Sequence, residues 1–295
     1  MDVSIIIVNY NTLNLTKNAI DSVLEKTEGI SYEIILVDND SVDGSVEFFE
    51  KNYKDKIILV KNKENLGFGR ANNKGIEKAK GKYIFLLNSD TLLINNAIKI
   101  LYDFMEENEK CGICGGNLYN KDLSPTDSFS NSTLNYKTLY WDKILKKLNF
   151  FSKKLKSFNY TIFPKKVQVI IGADMMLSRK LLSEIKGFDV DFFMYHEENE
   201  LCVRALKKGY EIYSVPAAKI IHLEGKSSKF KEKRFILEKE GTYTFFYKVR
   251  GYKSLKWAYF LLQLSYISQF NFYKLNLNKK VYRKMKQKYE EGKKI

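Results

Sequence analysis

The sequence predicts an α/β fold, a mostly parallel central sheet with helices on both faces, from three observations. Short apolar runs alternate with stretches of helical spacing from Val3 to Leu118. Two of those runs end in an acid: Glu33-Ile34-Ile35-Leu36-Val37-Asp38, and Tyr83-Ile84-Phe85-Leu86-Leu87-Asn88-Ser89-Asp90. A chain of 295 residues, 44% of them hydrophobic, is long enough and apolar enough to bury a sheet on both sides.

The elements follow in order. Val3 to Val8 is a buried strand. Asn14 to Glu25 is a helix with Leu15, Ala19, Val23 and Leu24 at helical spacing and Thr12 or Asn14 as its cap. Ile34 to Val37 is the second strand, Ser45 to Asn52 a helix, and Ile57 to Val60 the third strand. Gly69 to Lys80 is a helix and Tyr83 to Leu87 the fourth strand. Asn95 to Glu107 sets Ala97, Ile98, Leu101 and Met105 on one helical face, and Cys111 to Leu118 is the fifth strand. This alternation makes successive strands parallel, as in Rossmann-like sheets.

After Tyr119 the alternation stops, and residues 119–166 read as a variable insertion. Within it Ile144, Leu148, Phe151, Leu155 and Phe158 recur at helical spacing among lysines, a basic amphipathic helix pattern over Tyr136 to Phe158. Regular structure resumes at Lys166 to Gly172, with a helix over Glu198 to Lys208 and strands at Tyr210 to Val215 and Lys219 to His222. Residues 1–228 read as one domain and 229–295 as a basic, aromatic helical extension.

Charge is uneven along the chain. The net charge is +15, and from Lys226 onward there are 19 basic and 5 acidic residues, so the first 225 residues are nearly neutral. A tail of this kind is either a solvated lysine-rich surface or a contact for a polyanion. Its many aromatic residues, Trp257, Tyr259 and Phe260 among them, favour an anionic membrane surface, with the 143–158 segment as a second contact. No run reaches the ~20 apolar residues of a spanning helix. The N-terminal residues lack a positively charged leader, and three scattered cysteines give no disulfide framework. Cys111-Gly112-Ile113-Cys114 reads as part of a strand rather than a zinc or redox site. The expected location is cytoplasmic.

The chemistry is carried by the loops. At the end of its strand Asp38 is placed to accept hydrogen bonds from a base or ribose, and Asp43 or Ser45 beyond it to cap a helix. Asn65-Leu66-Gly67-Phe68-Gly69-Arg70 combines glycines, a helix start and a forked cation, which suits a diphosphate. Asp90 suits a divalent cation. Gly187 to Arg204 brings aromatic walls to an acid cluster, fitting either a general base or a helix start decorated with acids. His222, one of two histidines, follows a strand and is either structural or a further metal or phosphate contact.

Together and in this order, these segments resemble glycosyltransferase family 2, inverting enzymes of the GT-A fold, and are closest to its rhamnosyltransferase-like members that build cell-surface polysaccharide. The resemblance begins at Val3 to Asn11 and takes in the Asp38, Asn65 to Gly75 and Leu87 to Asp90 segments, Gly172-Ala173-Asp174-Met175-Met176-Leu177, Gly187 to Arg204 and His222 to Ser227. It implies that Asn9, Asp38, Asp40, Asn65, Gly67, Phe68, Arg70, Asn73, Asn88 and Asp174 line the substrate site. It implies that Asp90 and His222 hold a divalent metal, Mn2+ or Mg2+. It gives the catalytic base to Glu198, with Glu197 next. The implied reaction moves a sugar from a nucleotide-diphosphate donor, dTDP-rhamnose or a UDP-sugar, to a glycan or lipid-linked acceptor, on the inner face of the cell membrane. Two rival classes are a nucleotidyltransferase and a non-catalytic polyanion-binding protein. The region before Ile30 has few basic residues for a nucleotide loop, and no nucleic-acid-binding module is recognisable, so nucleic acid is not an expected partner.

Overall fold

The computed structural model describes residues 1–137, 139–140, 157–223 and 231–291. Its core is a nine-stranded sheet. The N-terminal half contains β1 (Val3–Asn9), β2 (Tyr32–Asp38), β3 (Ile58–Lys61) and β4 (Tyr83–Asn88), in the order β3-β2-β1-β4, all parallel. The register sets Asn9 beside Asp38, and Val8 beside Asn88. The carboxyl ends of β1, β2 and β4 are therefore adjacent along one edge.

The sheet continues through β10 (Asp174–Ser178), β6 (Cys111–Tyr119), β11 (Glu211–His222) and β5 (Thr91–Leu93). This half is mixed. β10 runs antiparallel to both β4 and β6, so Asp174, at its amino end, lies opposite Leu87. β6 and β11 are parallel, and β5 and β8 (Lys165–Lys166) pair antiparallel to β11. A small second sheet joins β7 (Phe129–Ser130) to β9 (Val169–Ile170). The two strands expected at 210–215 and 219–222 are one strand, bent by a register shift between Ser214 and Lys219. Pro216 sits in that interval and has no N–H to give the ladder. Asn95 serves the bulge instead, donating to the Ala217 carbonyl and accepting from the Lys219 N–H.

Helices cover both faces. α1 (Leu13–Lys26), α2 (Ser45–Asn52) and α4 (Ala97–Glu107) pack through Ile20, Phe49 and Leu101 on the side of Ile5 and Ile7. α3 (Phe68–Lys78), α5 (Arg179–Ile185) and α6 (Glu197–Lys207) pack through Ala71, Leu181 and Leu201 on the side of Ile6 and Ile35. Alternate residues of β1 thus face opposite cores, which is why that strand reads as an unbroken apolar run. Each such side chain contributes about 1.5–3 kcal/mol by leaving water.

The caps differ from expectation in detail. Thr12 precedes α1 but makes no side-chain cap. The Asp43 carboxylate takes the free Leu13 N–H at 3.0 Å and also accepts from the Ser45 N–H. Cys111 and Cys114 lie in β6, both buried and unbridged. Of the basic helix expected over 136–158, residues 141–156 lie outside the described residues.

Three further helices follow: α7 (Lys231–Arg250), α8 (Tyr252–Ser268) and α9 (Phe272–Glu291). They bury Tyr243, Phe245, Phe246, Leu262 and Tyr266 in a third core that also takes in Phe192 and Val203. Residues 231–291 therefore pack against the segment that leads into α6.

Candidate active site

At the parallel edge, Asn9 organises the first cluster. Its amide donates to Asp38 Oδ2 at 2.7 Å and to Ser41 Oγ at 3.0 Å, while its carbonyl oxygen accepts from Thr12 and Thr16. Asp38 also accepts from the Ser41 N–H at 3.0 Å, so both of its oxygens are held and the carboxylate is fixed in direction. Asn9 and Asp38 are both buried, whereas Asp40 sits exposed on the turn beyond them with a left-handed backbone, φ 69°.

Asn39 is a site residue that the sequence reading did not single out. Its amide donates to Asn65 Oδ1 at 2.9 Å and to the Gly67 carbonyl, and its own oxygen accepts from Asn62 and from the Leu66 N–H. One buried side chain therefore fixes the whole approach to α3. An asparagine between two aspartates at a strand end was its only sequence signal. Gly67 is required at the helix start: its φ is 81°, and a Cβ there would lie 2.0 Å from the Phe193 carbonyl oxygen. The Phe68 N–H donates to that same oxygen at 2.9 Å.

The loop 187–196 is tied to α3 along its length. Asn73 pairs with the Phe188 backbone in both directions, at 2.9 Å each, and Arg70 Nε donates to the Val190 carbonyl at 2.7 Å. Phe68 meets Phe188 edge to face. Asn73 is thereby committed to holding the loop, and among the described residues the terminal guanidinium nitrogens of Arg70 have no hydrogen-bond partner, although its charge lies close enough to act on Asp191.

That loop delivers the acids. Tyr195 and His196 both adopt left-handed backbone, φ 72° and 69°, immediately before α6 begins with Glu197 and Glu198. Two consecutive non-glycine residues in this region are costly, of order 1–3 kcal/mol each, and persist only where surrounding contacts dictate them. Glu197 is buried, and its Oε2 has no partner among the described residues. Burial pushes its pKa well above the ordinary carboxyl value, and the neighbouring Glu198 charge adds to the rise. Glu198 is more exposed and is also shifted upward, by burial. The other first-turn acid, Glu200, is consumed by a two-pronged pairing with Arg204.

The second cluster lies at the ends of β4 and β11. Asp90 Oδ1 stands 3.4 Å from His222 Nε2, with both residues 8% exposed. Asp90 is fixed by its own carbonyl, which accepts the Leu223 N–H, and Thr91 pairs with His222 across the ladder. An oxygen and an imidazole nitrogen converging at this distance suit two ligands of one divalent cation. Among the described residues no third histidine, cysteine or acid joins them. The remaining coordination positions would fall to phosphate oxygens and water, which hard cations commonly retain.

The Gly172–Ala173 segment links the clusters. The Asn88 N–H donates to the Ala173 carbonyl at 3.0 Å, and a Cβ on Gly172 would sit 3.7 Å from Glu198 Cβ and 3.6 Å from the Phe68 ring. Asp174, next in the chain, lies behind the edge. It is fully buried, its Oδ2 accepts the Gly116 N–H at 2.6 Å, and its Oδ1 has no partner among the described residues. Burial drives its pKa well up. The structure thus gathers Asn9, Asp38, Asn65, Gly67, Phe68, Asn88, Asp90, Glu197, Glu198 and His222 along one edge, with Asp40 outside the cluster and Asp174 beneath it.

The chain has known relatives. Residues 4–186 match the model of glycosyl transferase family 2. An uncharacterized glycosyltransferase of Rickettsia bellii is 41% identical over 106 residues, covering 36% of this chain and 15% of that protein. A poly(ribitol-phosphate) beta-glucosyltransferase of Bacillus spizizenii is 33% identical over 113 residues, 37% of this chain and 18% of its own. The chain therefore matches under a fifth of the length of either relative. A mannosyltransferase from Pyrobaculum calidifontis, solved in complex with GDP-Man and Mn2+, superposes with a TM-score of 0.57 at 17% identity, over 95% of this chain and 73% of that one. The shared architecture is the GT-A fold. With the family model covering more than half of its residues, the chain belongs to glycosyl transferase family 2.

Proposed function

We propose that this protein transfers a sugar from a nucleotide-diphosphate donor, dTDP-rhamnose or a UDP-sugar, to a glycan or lipid-linked acceptor in cell-surface polysaccharide synthesis, with inversion at the anomeric carbon. The observation that carries this reading is the meeting of two clusters at one sheet edge, the Asp90–His222 pair and the Glu197–Glu198 pair, joined through Gly172–Ala173. The Bacillus spizizenii relative, named for glucosylating a poly(ribitol-phosphate), supports a cell-surface polymer as the destination.

In this reading Asp38, held by Asn9, hydrogen-bonds the nucleoside. Arg70, in the first turn of α3, faces the diphosphate. Asp90 and His222 hold a divalent cation, Mn2+ or Mg2+, which when bound offsets the charge developing on the leaving diphosphate. Glu198 removes the proton from the acceptor hydroxyl, and that oxygen attacks opposite the leaving group. Glu197, beside it, is the next candidate for that base. Lipid-linked acceptors place the reaction at the inner face of the cell membrane, where the protein works as a peripheral, cytoplasmic enzyme. Among the described residues no helix is long and apolar enough to cross a membrane.

The test is release of nucleoside diphosphate from UDP-, dTDP- and GDP-sugars in the presence of membrane extracts, with the anomeric configuration of the new linkage read by NMR. Transfer with inversion from one donor is expected. Retention of configuration, or cleavage of nucleoside triphosphates in place of nucleotide sugars, would overturn the reading.

A further inference from the structure

Helix α8 is apolar on both sides. Its inner face buries Leu255, Ala258, Leu262 and Tyr266 in the C-terminal core. Its outer face carries a second stripe, Lys253, Lys256, Trp257, Phe260, Leu264 and Ile267, at offsets of 3, 4, 7, 11 and 14 residues from the first. Trp257 is 58% exposed, and Phe270, in the turn after the helix, is 82% exposed. Phe272 and Tyr273, at the start of α9, are also exposed, with the Tyr273 hydroxyl donating to Glu232. A surface helix normally turns polar residues outward, so a run of large apolar side chains there signals a partner that removes them from water.

The position of the charges identifies that partner. Lys253 and Lys256 flank Trp257 and Phe260 around one shallow groove, with the two rings edge to face at 5.7 Å. Residues 231–291 carry 15 lysines and arginines against 5 acids. Rings that enter the headgroup layer while lysine stems reach back to phosphates are the pattern of an interfacial helix on anionic lipid. A protein partner would need its own acids matched to the lysine positions, whereas a phosphatidylglycerol-type surface supplies negative charge everywhere.

We infer that the outer face of α8, from Lys253 to Ile267, together with Phe270, Phe272 and Tyr273, docks on an anionic phospholipid bilayer. This builds on the membrane-facing reading above and names the surface. Docking seats the aromatic rings among the headgroups and sets the lysines against lipid phosphates, with no chain segment crossing the bilayer.

The experiment is co-sedimentation of the full chain with vesicles of phosphatidylcholine alone, and with about a third phosphatidylglycerol, at low salt and at about 0.5 M salt, where the Debye length falls to a few ångström. Binding to the anionic vesicles alone, weakened by salt, is expected. Trp257→Ala with Phe260→Ala should lower partitioning about tenfold or more, and Lys253→Glu with Lys256→Glu should abolish the preference for anionic lipid. The chain has two tryptophans, so Trp141→Phe leaves Trp257 as sole reporter, and its emission should shift to the blue on binding. Thermal melting confirms that each variant is folded. Absent binding, or binding that survives both pairs of substitutions, overturns the proposal. So does an oligomer in solution that the aromatic substitutions disperse, since the stripe would then cover a second copy. Donor-induced thermal stabilisation is read without vesicles, so failure of docking and failure of the transferase reading are separate results.

Discussion

Gly241 of α7 lies directly on the Tyr195 carbonyl: a Cβ at Gly241 would stand 2.2 Å from that oxygen and 3.0 Å from the Met194 carbonyl oxygen. The C-terminal helix therefore braces the left-handed turn that aims Glu197 and Glu198. Next to it the Thr242 hydroxyl donates to the Glu238 carbonyl at 2.7 Å, which leaves its oxygen to accept from His196 Nε2 at 3.2 Å. Further along, Lys248 sits between Asp189 and Asp191 of the same loop. Burial opposes its charge, but the Asp191 and Asp189 carboxylates outweigh this and raise its pKa.

Gly241→Ala should therefore push the turn out of place. Overpacking against backbone costs about 1–3 kcal/mol, and the displaced acids should lower kcat more than donor affinity. Melting temperature and a kcat-against-KM comparison check this. Unchanged kcat would show that the brace does not position the acids.

The two glutamates should separate cleanly. Glu198→Gln removes the base and should cost about 10²–10⁴ in turnover while donor binding persists. With Glu198 as the base, Glu197→Gln should retain most activity. If Glu197→Gln proves the inactive variant and Glu198→Gln the active one, the roles are reversed.

Burial raises the Glu198 pKa above its ordinary 4.5. The base acts only when ionised, so kcat/KM should fall as pH drops through that raised value. The acid limb should thus lie above the position set by a solvent-exposed glutamate. A limb at the ordinary carboxyl value would contradict the burial of the pair.

Asp174 makes a prediction about stability. Its folded pKa is well above the unfolded 3.8, so its contribution is complete below about pH 4 and is lost as pH rises through the folded value. Above that value the cost does not grow further, and between the two it amounts to about 1.4 kcal/mol per pH unit. Asp174→Asn keeps an acceptor for the Gly116 N–H and cannot ionise. Thermal melts from about pH 5 to pH 9 should show the wild type losing stability relative to the variant. Parallel curves would mean that Asp174 does not ionise uphill in the folded protein.

Apart from β5, the strands and helices up to Tyr119 were legible because each obeys a local rule: β1 and β4 are buried on both faces and read as continuous apolar runs, while α4 shows its buried stripe at Ile98, Leu101 and Met105. β10 and β5 were not legible. β10 takes its antiparallel place between β4 and β6 from long-range pairing, and β5 is three residues long. The placement of Asp38, Asp90 and His222 at strand ends followed from topology, since a carboxyl edge collects whatever its strands carry. Asn39 escaped notice because its role depends on a loop 26 residues away. Asp174 sits within a matching motif, but its burial is a property of the sheet and not of the motif. The bracing by Gly241 has no sequence signal, because a glycine within a helix looks the same whether it is tolerated or required.

In the proposed mechanism Asp90 and His222 hold the cation that binds the donor diphosphate. Thermal shift with UDP-, dTDP- and GDP-sugars, with and without Mn2+, on wild type and Asp90→Ala, tests it most directly. One donor should raise the melting temperature only when Mn2+ is present, and Asp90→Ala should lose this response while its ligand-free melting stays close to wild type. Equal stabilisation without the metal, or undiminished in Asp90→Ala, would contradict it.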